Sequence, residues 1–241
     1  MNIKYIVVFV SVIFAFSNTV LFSQFNDRRL SIGINGVYTT SAKIYLNPDS
    51  PDPVIRNTSF EITDIFDPAI DIRYRIADEI IIGIGTEYMK TSSGGENLTV
   101  TYGNLTENID VTDGFLLIPI EFSGYYILPF STEKFKFLMG GGAAYYYGKH
   151  VRKFGDASIS TVDRQFAYGI QVSISMDYLI RNDITLHSEM KFRDPQFKVK
   201  SAYANQQINY NGHTIFVEQK TFDSKINVDG VTFIIGVSFL F

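Results

Sequence analysis

A chain of 241 residues that is 46% hydrophobic and 19% charged, with 21 Phe, 15 Tyr and 18 Gly, has material for one large β domain or two small ones, since aromatics suit pleated half-buried surfaces and glycine suits tight turns. A net charge of −4 excludes a basic nucleic-acid surface, and setting aside residues 1–23, whose only charged side chain is Lys4, makes it one unit more negative. The absence of cysteine excludes a disulfide framework, a thiolate nucleophile, a zinc–thiolate centre and a lipid-bearing cysteine.

Residues 1–23 read as a secretory signal peptide. Lys4 supplies the positive start, residues 5–16 the apolar run, and Ser23 a small residue for cleavage, so that Gln24 begins the mature chain and residues 24–241 form one barrel domain. Ser17, Asn18 and Thr19 interrupt the run short of the roughly 20 residues that a spanning helix needs. No later stretch is long and apolar enough for one, so a helical membrane protein is excluded.

Beyond the signal, eight segments alternate with the two-residue period of a strand that has one apolar face. Residues 30–38 set Leu30, Ile32 and Ile34 against Ser31, Gly33 and Asn35. Residues 68–77 set Ile70, Ile72, Tyr74 and Ile76 against Asp71, Arg73 and Arg75, and residues 80–90 set Ile80, Ile82, Ile84 and Tyr88 against Gly83, Gly85 and Glu87. In residues 115–128, Leu116, Ile118, Ile120, Phe122 and Tyr126 oppose Pro119, Glu121, Ser123 and Tyr125; Pro119 has no N–H to give a ladder, which predicts a bulge or a missing bond there. Residues 135–148 contain the small run 140–144, suited to a tightly curved strand, followed by three tyrosines. Residues 166–178 oppose Ile170, Val172, Ile174 and Met176 to Gln171, Ser173, Ser175 and Asp177, and residues 184–193 oppose Ile184, Leu186, Met190 and Phe192 to His187, Glu189, Lys191 and Arg193.

The eighth segment, residues 230–241, puts Val231, Phe233, Ile235, Val237, Phe239 and Phe241 on one face and ends inside the pattern. An apolar strand without a polar tail needs a paired edge and an apolar solvent for its outer face. Gly236, Phe239 and Phe241 resemble the C-terminal assembly signal of bacterial outer-membrane β-barrels, with Ile234 standing where that signal usually carries a polar residue. The resemblance implies insertion by the barrel-assembly machinery.

Connection lengths give an independent indication. Residues 77–79, 129–133 and 179–183 are short, whereas residues 39–67, 91–114, 149–165 and 194–229 are long and polar. Short turns on one rim and long loops on the other are the habit of outer-membrane barrels, with the long loops outside the cell. Within the last loop, Asn211-Gly212 between alternating runs predicts a protruding hairpin. Residues 47–53, with three prolines and two aspartates, suit a rigid extracellular loop better than a linker.

Alternation alone leaves open which face is inside. In the membrane reading, Asp71, Arg73, Arg75, Glu87, Glu121, Asp177, His187, Glu189, Lys191 and Arg193 form a lumen network of paired ions; in a soluble, calycin-like ligand-binding barrel the same residues form the wet outer surface. The terminal phenylalanine, the signal peptide and the turn asymmetry favour the membrane.

Residues 115–126 followed by 135–148 are similar to the small outer-membrane barrel domain common in Bacteroidota, a family that includes PorT and tends to show Leu-x-Ile-Pro, a short turn and an aromatic, glycine-rich strand. Leu116, Ile118 and Pro119 match; Leu117 replaces the acidic residue often found there. The resemblance implies fold and location, in the manner of OmpX- and OmpA-type barrels, and assigns no activity.

The expectation is therefore an all-β, eight-stranded, antiparallel, up-and-down transmembrane β-barrel with long extracellular loops, embedded in outer-membrane lipid and binding no nucleic acid. Eight strands normally leave a lumen filled by side chains. No cofactor, metal or catalytic residue is assigned. Ser188 points away from His187 and Glu189 by strand parity, Asp64, Asp67 and Asp71 lack cation-binding spacing, and Gly140 to Gly142 lack the Lys and helix of a phosphate loop. The expected role is structural or surface-binding, through an extracellular or envelope partner at the loops. Narrow transport, a secretion-accessory role and a lipid-modifying enzyme are the alternatives.

Overall fold

The computed structural model describes residues 28–102, 105–217 and 219–241; the expected signal peptide and its cleavage position at Ser23 and Gln24 lie outside them. The chain opens with β1 (Leu30–Tyr45), β2 (Ser59–Arg75), β3 (Ile80–Glu87) and β4 (Met89–Tyr102). It continues through β5 (Leu105–Ile127), β6 (Phe135–Lys153), β7 (Ile159–Arg164), β8 (Tyr168–Arg181), β9 (Ile184–Arg193) and β10 (Gln196–Tyr203). A hairpin of β11 (Gln207–Tyr210) and β12 (His213–Phe216) precedes β13 (Thr221–Asn227) and β14 (Val231–Leu240). One helical turn, α1 (Pro53–Asn57), is capped by Asp52, whose carboxylate accepts from the Val54 N–H at 2.8 Å.

Eight strands, in the order β1, β2, β3, β5, β6, β8, β9 and β14, pair antiparallel with their neighbours, and β14 returns to β1 to close the barrel. The closing ladder runs from Ser31 opposite Leu240 to Thr39 opposite Thr232. The terminal Phe241 extends it, its N–H donating to the Leu30 carbonyl at 2.8 Å. Gly236 sits in the middle of this seam: a Cβ there would lie 2.1 Å from Asn35 Oδ1 and 2.4 Å from the Ile34 carbonyl oxygen, so only glycine allows the approach. Ile234, opposite in parity to Phe233 and Ile235, is buried inside.

The apolar faces all turn outward. Ile70, Ile72, Ile82, Ile84, Phe122, Ile170, Val172, Ile174 and Ile235 are exposed, Ile170 by 79%, which in water would be a large uncompensated loss and in hydrocarbon is none. Tyr38, Phe66, Tyr88, Tyr145, Tyr147, Phe166 and Tyr168 rim this belt towards the long connections, and Tyr74, Tyr126, Phe135, Phe239 and Phe241 rim it towards the short turns, an arrangement of aromatic girdles around an apolar band.

The long connections exist, but they consist mainly of strand rather than of irregular loop. β1 continues to Tyr45 and β2 begins at Ser59, while β4 and β5 form a ladder reaching Tyr102 opposite Leu105. Above the belt both wall faces meet polar surroundings or neighbouring protein, so polarity there does not signal the end of a strand. A register feature adds to this: pairing passes from Thr39 opposite Ile65 to Ser41 opposite Thr63, skipping Thr40 and Asp64, whose φ is 57°. The buried positions of β1 accordingly change from Val37 and Thr39 to Ala42 and Ile44.

The interruption predicted at Pro119 is present. The β3–β5 ladder stops at Thr86 opposite Ile120 and resumes as β4–β5 at Met89 opposite Leu117, leaving Pro119 in the gap, where its carbonyl accepts from Thr86 Oγ1 at 2.7 Å. Past this point the wall divides. β4, β5 and β6 form one flap, and β7, β10, β13, β1 and β2 form the other. The β11–β12 hairpin turns at Asn211 and Gly212, with φ of 50° and 84°, and its Ile208 and Ile215 pack with Ile109, Val111, Phe154 and Tyr203.

A filled lumen beneath a two-flap extension: the candidate functional site

The inward positions of the belt are polar, and they meet across the barrel in two clusters. Arg73 on β2 contacts Asp71 Oδ2 through Nε at 3.1 Å and Glu189 Oε2 through NH2 at 3.0 Å, and its guanidinium lies 4.5 Å from the centre of the Tyr125 ring. His187 on β9 is held between Asp177 at Nδ1, 2.5 Å, and Glu189 at Nε2, 3.2 Å. The second cluster is centred on Glu121 of β5, which accepts from Lys191 Nζ at 2.6 Å and Arg193 NH1 at 3.0 Å, while Arg193 NH2 reaches Glu87 at 2.6 Å. Arg75 is buried nearer the short-turn mouth, where it lines a 40 Å³ cleft with Arg73, Lys136 and Asp177. All ten polar residues singled out by strand parity thus face the interior.

Pairing offsets the cost of taking such ions from water, and it makes each partner indispensable to the other. It also occupies space. The void among Asp71, Arg73, Glu87, Glu121 and Lys191 measures 30 Å³, about the volume of one water. On the outer side the lumen is packed by Ile44, Met89, Phe115, Leu117, Phe197 and Ile226; on the inner side Tyr125, Ile127 and Leu138 cluster together. A furrow of 1040 Å³ runs past the outward side chains of Tyr38, Phe66, Phe233, Met190 and Phe137, and its lining also includes the buried Val37, Leu138, Glu189 and Ile234.

A third polar cluster lies above the belt. Asp113 on β5 accepts from Arg152 through Nε at 2.7 Å and NH2 at 2.9 Å, and pairs with His150 Nε2 at 2.8 Å. Arg152 donates to the Tyr203 hydroxyl on β10 at 3.1 Å and sits over the Phe222 ring of β13, so it links the two flaps. Burial opposes ionisation of Asp113, but the hydrogen bonds from His150 and Arg152 outweigh it and hold the carboxyl below its usual range. Burial lowers the His150 pKa despite Asp113, so the folded ring stays neutral where an unfolded one takes a proton. Stability from this group is complete above the unfolded histidine value of about 6.5 and declines as pH falls through it. Protease cleavage of the extension in membranes is therefore expected to quicken between about pH 7.5 and 5.5, and His150→Asn to flatten that dependence. An unchanged profile in the variant assigns the effect elsewhere.

Sequence parity alone missed this third cluster, although Asp113 shares its parity with Glu121. The run Phe115 to Ile118 masked it: Leu116 faces outward yet is only 8% exposed, and Phe115 and Leu117 are fully buried inside, so no polar and apolar alternation marks the strand there. Elsewhere the geometry bears on the catalytic candidates. Ser188 lies on the outward face, paired with Ile235 and Met176, and both His187 nitrogens are already engaged. Asp64 turns to the Tyr38 hydroxyl at 2.7 Å while Asp71 enters the lumen, so those carboxylates do not converge on a cation.

A closed antiparallel wall with an apolar belt, aromatic rims and an ionic interior defines an integral β-barrel of the outer-membrane class. Among solved structures the chain is similar to the outer membrane protein OprG from Pseudomonas aeruginosa, with 13% identity over 89% of this chain and 96% of that one and a TM-score of 0.55. It also aligns with Neisserial surface protein A, at 11% identity, 88% and 97% coverage and a TM-score of 0.45, and with AlkL in lipid bilayers, at 12% identity, 93% and 95% coverage and a TM-score of 0.47. No family model and no curated protein matches the sequence. At such identities the likeness to OprG speaks for fold; with the belt, it makes the protein an integral β-barrel of the bacterial outer membrane.

Proposed function

We propose that the protein is a non-conducting, non-enzymatic surface element of the outer membrane, whose contacts are made by the two-flap extension and its hairpin. The filled lumen supports this reading: paired ions and an apolar plug occupy the inside of the described barrel, and the void among the ions measures 30 Å³. The similarity of residues 115–148 to the Bacteroidota barrel domain supports a place in the cell envelope, and Gly236, Phe239 and Phe241 support delivery by the assembly machinery.

Purified protein reconstituted in planar bilayers is expected to be electrically silent; reproducible single-channel steps would establish narrow transport instead. In intact cells, added protease is expected to cut within residues 46–58 or 205–217 and to spare the turns at residues 76–79, 128–134 and 182–183. Cleavage at those turns in sealed cells would reverse the orientation and remove the extension from the surface.

A further inference from the structure

Just outside the aromatic rim, the outward face of the β4–β5–β6 flap carries Lys90 and Lys149, while its exposed acid Asp110 stands three outward positions further along β5 from Leu116. Lys90, Leu116 and Lys149 occupy one row across the three strands. The two lysine Cα atoms are therefore about 10 Å apart, on either side of Leu116. One row towards the belt lie Ile118 and its partner Tyr147, with Tyr88 beside them at the end of β3. Across the split between the flaps, Arg164 of β7 donates Nε to the Gly148 carbonyl at 3.0 Å and holds its guanidinium 4.4 Å from the centre of the Tyr147 ring. It borders a 150 Å³ cleft shared with Tyr145, Phe166, Phe197 and Lys198.

Charge balance on this patch is one-sided. Ser92, Gly94, Thr112, Gly114 and Val151 fill the neighbouring outward positions, and the next charges out, Lys153 opposite Thr112 and Asp110 on β5, are of opposite sign to each other. Among the described residues, neither Lys90 nor Lys149 enters an ion pair, whereas Lys43 pairs with Asp229 and Lys198 with Asp49 elsewhere on the extension. The acid beside Arg164, Asp163, stands opposite Lys200 in the β10 ladder.

We propose that Lys90, Lys149 and Arg164 bind the phosphate-bearing headgroup of an outer-leaflet glycolipid, whose acyl chains lie against Tyr88, Ile118, Tyr145, Tyr147 and Phe166. A ligand that uses both halves of this surface joins anionic phosphate to hydrocarbon across the membrane boundary, which a free anion does not do. The inference rests on the outer-membrane reading given above, and it adds a ligand class to it.

Full-length protein in detergent is to be titrated with a bis-phosphorylated, acylated glucosamine disaccharide, with the same glycolipid after phosphatase treatment, and with inorganic phosphate as competitor, the bound fraction being read by native mass spectrometry. The phosphorylated glycolipid is expected to bind roughly 100-fold more tightly than the dephosphorylated one, about a factor of five per cation. The triple variant Lys90→Ala, Lys149→Ala, Arg164→Ala loses the same factor while keeping heat-modifiable gel migration, and Lys149→Arg retains native binding. Equal binding of the two glycolipids, undiminished binding by the folded triple variant, or displacement by millimolar inorganic phosphate would each overturn the proposal. Should the triple variant fail to fold, the comparison of the two glycolipids on the native protein decides alone. A native protein that migrates identically boiled and unboiled would instead remove the outer-membrane reading itself.

Discussion

Replacing Arg193 with leucine is expected to destabilise the barrel by about 3–5 kcal/mol, the cost of leaving a buried charge without its partner. Among the described residues Arg193 is the one cation that Glu87 contacts, at 2.6 Å, and it shares Glu121 with Lys191. Without it Glu121 keeps one cation and Glu87 keeps none, inside a space that admits about one water. Adding Glu87→Gln to the Arg193→Leu variant should recover much of the loss, because a neutral amide is far cheaper to bury than a stranded carboxylate. Denaturant unfolding in micelles, followed by heat-modifiable migration, measures both. A single variant within 1 kcal/mol of the native protein, or a double variant no better than the single, is incompatible with a dry, paired lumen.

The closing seam is the second place where a small change is expected to act strongly. Gly236→Val forces a side chain against the Ile34 carbonyl and Asn35, and Phe241→Asp places a charge where the terminal ring joins the lower aromatic rim and its N–H completes the ladder to Leu30. Overpacking of this kind costs about 1–3 kcal/mol, on the order of a tenfold to hundredfold shift in the folded fraction. Both variants are expected to fall sharply in folded outer-membrane protein, whereas Gly212→Ala, at the hairpin tip, leaves membrane levels unchanged. Near-native levels of Gly236→Val and Phe241→Asp would show that the last strand is not what closes the wall.

Local features were the ones legible from residues alone. The strand Ile184–Arg193 alternates throughout except at Ser188 and its observed limits match that pattern, and the Asn-Gly turn and the Pro119 gap follow from backbone chemistry that acts within a few residues. The inward direction of the ten polar side chains follows from parity once the apolar face is given to lipid. What parity does not contain is partnership: Arg193 meets Glu87 from 106 residues away, and Arg152 meets Tyr203 across the two flaps. Strand ends above the belt were hidden for a different reason. There the solvent changes from hydrocarbon to water and protein, and the Thr40 and Asp64 irregularity exchanges the buried parity, so the two-residue pattern stops reporting where strand ends and loop begins.

The most direct test of a lipid-embedded barrel is gel migration of the unboiled protein from fractionated cells. The protein is expected to sediment with the outer membrane, to resist carbonate extraction and to run faster unboiled than boiled. Recovery in a soluble fraction, with one mobility at both temperatures, would mean that the isoleucine belt faces something other than lipid and that the barrel is a soluble one.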